Sequence, residues 1–160
     1  MKDFDNSVWR KVQDRVRGER LESLPAPILA SDISAKYVEM AKQNALRARV
    51  ERDIEFKVGK IEDARPHAET GILIANLPYG ARLAKGEVEA LTKLYGEIGD
   101  NLKQNFKGWR AALLAAEESP WKFIGLKPTR KFNLMNGSIK AKLLIFDIYA
   151  GSKKKRPADR

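Results

Sequence analysis

The stretch Ile72-Leu73-Ile74-Ala75-Asn76-Leu77-Pro78-Tyr79-Gly80 runs from a greasy segment straight into residues that could grip a flat polar ring. Asn76 offers a side-chain carbonyl, an acceptor for an N–H. The backbone carbonyl of Leu77, just ahead of a proline, is a second acceptor that no helix there requires. Pro78 stiffens the segment by fixing its own φ. Tyr79 supplies a π face on which a base can stack. Gly80 permits close approach of a ligand to the backbone. Two acceptors beside a stacking ring can hold an exocyclic NH2 group in the plane of a base and aim its lone pair at an electrophile. The same residues also read as a tight turn with a packed tyrosine. A second candidate is Asp32, which closes the run Pro27–Ile33. In open α/β sheets ligands bind beyond the carboxyl ends of the strands, where a carboxylate can accept both hydroxyls of a ribose. An exposed or capping aspartate is the equal alternative.

Those residues need elements to position them, and the hydrophobic pattern supplies a series. Val8, Trp9, Val12 and Val16 fall at helical spacing within a helix over residues 4–22. Leu-Pro-Ala-Pro at 24–27 breaks the chain. A short strand over 27–33 follows, then a helix to about Arg49, capped by the Ser34 hydroxyl, with Val38, Ala41 and Ala45 inward. Residues 53–59 alternate Ile54, Phe56 and Val58 as a strand, and 72–76 form the next. Residues 86–106 are a long helix, loosened by Gly96 and Gly99. Residues 109–116 are a further strand, and 119–126 hold a short helix with Ser119 as cap and Pro120 in its first turn. Phe132–Met135 and Ile139–Tyr149 flank Asn136-Gly137, a hairpin signal with Asn-Gly as the turn. Alternating strands and helices predict an open, mostly parallel α/β sheet, and the terminal hairpin makes it mixed.

Composition narrows the chemistry. The 160 residues fit one domain with a real core. There is no cysteine, which excludes disulfides and thiolate metal sites, and the single histidine, His67, makes a histidine metal site unexpected. No apolar run reaches membrane-span length and the N-terminus has no signal-peptide core, so a cytoplasmic protein is expected. Charge is concentrated at one end. Residues 1–118 carry 20 Lys/Arg against 19 Asp/Glu, whereas residues 119–160 carry 11 against 2. Lys122, Lys127, Arg130, Lys131, Lys140 and Lys142 lie in this basic quarter, before the tail KKKRPADR. A one-sided basic face points to a polyanion, RNA or DNA, and its alternative is a solvated surface with a loose tail. Trp9, Trp109 and Trp121 read as packing residues, and His67 is assigned no role.

NLPYG after an apolar strand resembles the Asn/Asp-Pro-Pro-Tyr/Phe motif of amino-group S-adenosylmethionine-dependent methyltransferases. More closely, NLPYGARL resembles the NPPYGERL stretch of bacterial large-subunit rRNA guanine-N2 methyltransferases, the THUMP-associated RNA methylase family. The likeness extends to KDFDNSVWRKV, ILASDISAKYVEMAKQNA, FKGWRAALLAA and KFNLMNGSIKAKLLIFDIYAG, in family order, over roughly residues 3–151. It implies a Rossmann-like methyltransferase domain with S-adenosylmethionine as donor and RNA, rRNA first, as partner. Asp32 would hold the cofactor ribose, with Ile33 beside the adenine. Asn76 and the Leu77 carbonyl would bind the target amine, and Tyr79 would stack on an extruded base. The third strand ends in VGKIEDA, so Lys60 stands where the family has an acidic residue, and Glu62 and Asp63 would receive the adenine amine. Leu77 replaces the family's first proline.

The family's glycine-rich cofactor loop has no counterpart, because the sequence contains no Gly-x-Gly. The resemblance therefore implies a partial methyltransferase domain over 1–151 and a basic tail over 152–160, with the first strand missing. That strand would lie between those ending at Asp32 and Asn76, leaving two unpaired edges for an N-terminal segment or a second chain to fill. The expected function is methylation of a nucleobase amine, guanine N2 in rRNA, by a truncated form whose activity in isolation is in question. An N6-adenine methyltransferase of DNA or RNA, and a non-catalytic RNA-binding remnant, are the alternatives.

Overall fold

The computed structural model describes residues 4–79 and 85–149. Gly80 and the basic tail, both singled out in the sequence, lie outside the described residues. The chain forms two compact units, residues 1–58 and 59–160.

In the first unit, helix α1 (Asn6–Gly18) starts at Asp5, whose carboxylate accepts from the Ser7 and Val8 backbone N–H groups at 2.8 and 3.4 Å. The helix is shorter than the expected 4–22. Its apolar stripe is present but uncovered, with Val8, Trp9, Val12 and Val16 all exposed. Trp9 is therefore a surface residue and not a packing one. Strand β1 (Ile28–Asp32) pairs in parallel with β2 (Ile54–Val58), Asp32 opposite Val58. Between them runs helix α2 (Ala35–Ala48), which buries Val38 and Ala45 while Ala41 stays exposed. Ser34 sits at the N-cap position but makes no side-chain cap bond. Its backbone N–H instead donates to Asp32 Oδ1 at 2.7 Å, so the capping turn is built by the aspartate.

The second unit holds a four-stranded sheet in the order β3-β4-β6-β5. Strand β3 (Ile72–Asn76) is parallel to β4 (Arg110–Ala116), and β6 (Ile139–Asp147) is antiparallel to both β4 and β5 (Arg130–Asn136). The mixed sheet and terminal hairpin are as expected, but the sheet is not mostly parallel: two of its three pairings are antiparallel, and β1 and β2 pair in a separate sheet. Helix α3 (Lys85–Asn105) presents Leu91, Tyr95, Ile98 and Leu102 at helical spacing. They pack with Leu113, Leu144 and Phe146 into one core. Trp109 is buried, its indole N–H donating to the Ala68 carbonyl at 3.0 Å and its ring edge-on to His67.

Three local expectations are corrected here. Helix α3 runs unbroken through Gly96 and Gly99. Gly99 is instead a point of close approach: a Cβ there would run into the Ile124 carbonyl of the 3-10 turn Trp121–Ile124. Ser119 is not a helix cap, since its buried hydroxyl donates back to the Ala116 carbonyl at 2.7 Å and Pro120 precedes the turn. The hairpin loop is Gly137-Ser138, because Asn136 pairs with Ile139 as the last residue of β5. Gly137 takes the left-handed φ of 61° that the loop requires.

Among the described residues, β1 pairs only with β2, and β3 only with β4. Each keeps one edge without a strand. No helix among these residues is long and apolar enough to cross a membrane.

Candidate functional site

The strand directions set the geometry. β5 runs with β3 and β4, so Asn76, Ala116 and Asn136 all close strands at the same end of the four-stranded sheet. Along β3 the side chains alternate between faces. Asn76 is exposed, and the next side chain, Leu77, turns inward and is buried to 3%. The Leu77 N–H continues the ladder, donating to the Leu114 carbonyl at 2.9 Å. This fixes the start of the Asn-Leu-Pro-Tyr segment to the core while its first polar side chain stays open. The Asn76 amide makes no hydrogen bond to any described residue.

Two further elements hold the rest of the segment. The Tyr95 hydroxyl, rising from α3, donates to the Pro78 carbonyl at 3.0 Å. Burial pushes the Tyr95 phenol above its ordinary range; the Ser119 hydroxyl opposes this and the nearby Tyr79 phenol adds to it. Tyr95 therefore stays a neutral donor throughout the working pH range. From the other side, the Asn136 amide donates to the Tyr79 hydroxyl at 2.7 Å. Tyr79 is half-buried. The loop is thus seated by β4, α3 and the hairpin together.

Glu62 and Asp63 lie in a 3-10 turn, Ile61–Asp63, of the same unit. The buried Asn101 side chain on α3 latches that turn, donating to the Ile61 and Ala64 carbonyls at 3.0 and 3.1 Å. Glu62 pairs with Lys60 at 3.8 Å, and Asp63 is exposed. Asp32 and Ile33 belong to the other unit, at the carboxyl end of β1, and both are exposed. One Asp32 oxygen is occupied by the Ser34 N–H, and the other takes no bond from a described residue.

The basic residues divide by use. Lys142 is tied to Glu117, and that contact holds the Glu117 carboxyl below its ordinary range. Lys131 lies over the Trp121 ring at 5.6 Å. Lys122, Lys127, Arg130 and Lys140 are exposed. No group of three or more metal-ligating side chains occurs among the described residues.

Tyr95, Asn101 and Asn136 were not legible as site residues in the sequence. Tyr95 sits at an apolar helical position and reads as core. Asn101 is a polar residue on the buried face of α3, which was the available signal. Asn136 reads as turn chemistry, which hid its side chain's reach.

Residues 1–145 match the model of a family described as an RMKL-like methyltransferase domain. The chain belongs to that family. A ribosomal RNA large subunit methyltransferase K/L from Methylococcus capsulatus is 36% identical over 151 residues, covering 92% of this chain and 20% of that protein. A Synechocystis protein with the name "Putative RNA methyltransferase slr0064" is 34% identical over 147 residues, covering 92% of this chain and 38% of its own length. Among solved structures, a possible methylase from Clostridium difficile superposes with a TM-score of 0.76 at 28% identity, over 96% of this chain and 39% of that one. SMU.472, solved in complex with SAH, gives 0.75 at 26% identity, over 95% of this chain and 39% of that one. The chain spans about a fifth to two-fifths of the length of the relatives it matches. Its Rossmann-like α/β methyltransferase fold, with a mixed sheet ending in a hairpin, is the family's.

S-adenosylmethionine, the methyl donor of such methyltransferases, can be tested against the residues present. The free Asp32 oxygen at a strand's carboxyl end has the chemistry a ribose diol needs. Glu62 and Asp63 are carboxylates on a latched turn and can accept an adenine amine. Each carboxylate taken by itself has the chemistry for one part of the cofactor's nucleoside, Asp32 in one unit and Glu62 and Asp63 in the other.

Proposed function

We propose that this chain is the acceptor-side part of an S-adenosylmethionine-dependent methyltransferase that modifies an exocyclic amine of a nucleobase, guanine N2 in rRNA. Asn76 and the Leu77 carbonyl take the two amine protons, which aligns the nitrogen lone pair. Tyr79 stacks on the extruded base. Asp32 binds the cofactor ribose, Ile33 flanks its adenine, and Glu62 and Asp63 accept the adenine amine. The cofactor supplies an electrophilic methyl group, and the chain's own contribution is position and electrostatics. Residues 1–151 act as one partial domain in the cytoplasm. The open edges of β1 and β3 are completed by a further segment or a second chain.

The observation that carries this reading is the loop itself. Its open Asn76 amide and its half-buried Tyr79 lie on a segment held from three elements, at the carboxyl end of β3, where α/β sheets bind ligands. The names of the rRNA methyltransferase K/L relatives support an RNA substrate. A second reading, adenine N6, is favoured by the likeness to a predicted N6-adenine-specific DNA methylase from Listeria monocytogenes, with a TM-score of 0.70 at 29% identity.

Short single-stranded RNAs that differ in one amine separate the two. An RNA with a single guanine is expected to bind about tenfold more tightly than the same RNA with inosine, which lacks only the 2-amino group. A preference of adenine over unsubstituted purine, with none for guanine over inosine, selects the adenine reading. A folded chain that makes neither distinction overturns amine recognition.

A further inference from the structure

We propose that Asn136, at the last position of β5, is a positioning residue that holds the Tyr79 ring in place for the incoming base. The inference rests on the stacking role proposed for Tyr79. Its basis is geometric. Tyr79 is half-buried, and the contact recorded for its hydroxyl among the described residues is the Asn136 amide at 2.7 Å. Asn136 lies 57 residues further along the chain, so the bond ties the loop after β3 to the end of the hairpin.

The hairpin is built in a way that allows this. A loop of Asn136-Gly137 would need a left-handed backbone at the asparagine. With the loop at Gly137-Ser138, the left-handed φ of 61° falls on glycine instead. Asn136 keeps strand geometry opposite Ile139, and its side chain is free to cross to Tyr79. A tyrosine ring turns about two side-chain torsions, and a bond to its hydroxyl, which lies on the axis of the second, restrains the first and so fixes where the ring sits. Tyr95 holds only the Pro78 carbonyl behind it, which fixes the backbone but not the ring.

Two readouts on the full chain separate this device from the stacking role. The first needs no ligand. With 13C-labelled tyrosine the chain shows four ring signals, from Tyr37, Tyr79, Tyr95 and Tyr149, and Tyr79→Phe assigns the relevant one. Asn136→Ala is expected to shift and mobilise the Tyr79 ring and leave Tyr37 and Tyr149 unmoved. Asn136→Asp is expected to restore the restrained ring, since a carboxylate can accept from the Tyr79 hydroxyl. The second uses a short RNA carrying 2-aminopurine, which keeps an amine at the purine 2-position and is quenched on stacking. Asn136→Ala and Tyr79→Phe are each expected to weaken binding about fivefold, and the double variant no further, because both remove one bond. If Tyr79→Ala weakens binding while Asn136→Ala does not, or if the Tyr79 ring signal is unchanged in Asn136→Ala, the positioning role is overturned. If the ring responds to Asn136 but Tyr79→Ala leaves RNA binding intact, the stacking role fails and this inference falls with it.

Discussion

Asn76→Ala removes the preference for guanine over inosine. The affinity for the guanine RNA falls about tenfold to that of the inosine RNA, and the inosine RNA binds as before. The argument is one of acceptors. Asn76 ends β3 with its side chain exposed and bonded to no described residue, so removing it leaves no buried partner unsatisfied. The fold therefore has little to lose, and the thermal midpoint is expected to stay within a few degrees of the parent, as for other surface substitutions. Without the side-chain carbonyl one amine proton has no acceptor, and the nitrogen lone pair is no longer aimed. Where methyl transfer is measured, as label passed from S-adenosylmethionine to rRNA, the rate is expected to fall about a hundredfold, the scale of losing one oriented polar contact at a reacting group. Equal loss of affinity for the inosine RNA would place Asn76 in general RNA binding and not in amine recognition.

Gly99→Ala destabilises the protein by about 3 kcal/mol, although helix propensity alone predicts a gain of about 1 kcal/mol. The sign is decided by the neighbour. A Cβ at 99 meets the Ile124 carbonyl and its attached backbone atoms, which belong to a 3-10 turn and cannot rotate away as a side chain would. Gly96, one turn earlier on the same helix, is the internal control: a Cβ there meets only the Phe123 carbonyl, at 3.9 Å, an ordinary contact. Gly96→Ala is therefore expected to be neutral or stabilising. Denaturant titrations of the two variants decide the matter, and equal midpoints would contradict the close approach of α3 to that turn.

What the sequence revealed and what it hid follow from range. The strands β1, β2 and β3 were legible to within a residue or so, because runs such as Ile72–Ala75 end sharply in polar residues and prolines. The candidate loop was legible for the same reason, as each chemical part of Asn76, Leu77, Pro78 and Tyr79 stands next to the others in the chain. The hairpin's existence was legible and its register was not. An Asn-Gly pair reads as a type I′ loop, yet pairing of Asn136 with Ile139 moved the loop one residue on. That slip concealed the contact to Tyr79, since a register change of one residue redirects every side chain. The roles of Ser34 and Ser119 were misread because capping competes with other local bonds, here the Asp32 carboxylate and the Ala116 carbonyl. The stripe on α1 was legible from its period, and Trp9 within it was read as a packing residue. Periodicity identifies the apolar face of a helix but not what covers it, and Val8, Trp9, Val12 and Val16 are exposed. Contacts such as Asn101 with the turn at Ile61 join residues 40 apart, a distance at which local pattern carries no signal.

The most direct measurement is a calorimetric titration of S-adenosylmethionine into the chain, with Asp32→Ala alongside. The account predicts saturable binding in the parent that weakens at least tenfold, about 1.4 kcal/mol, when the Asp32 carboxylate is removed. A folded chain with no saturable binding, or one whose isotherm is unchanged by Asp32→Ala, would contradict the cofactor role given to the end of β1.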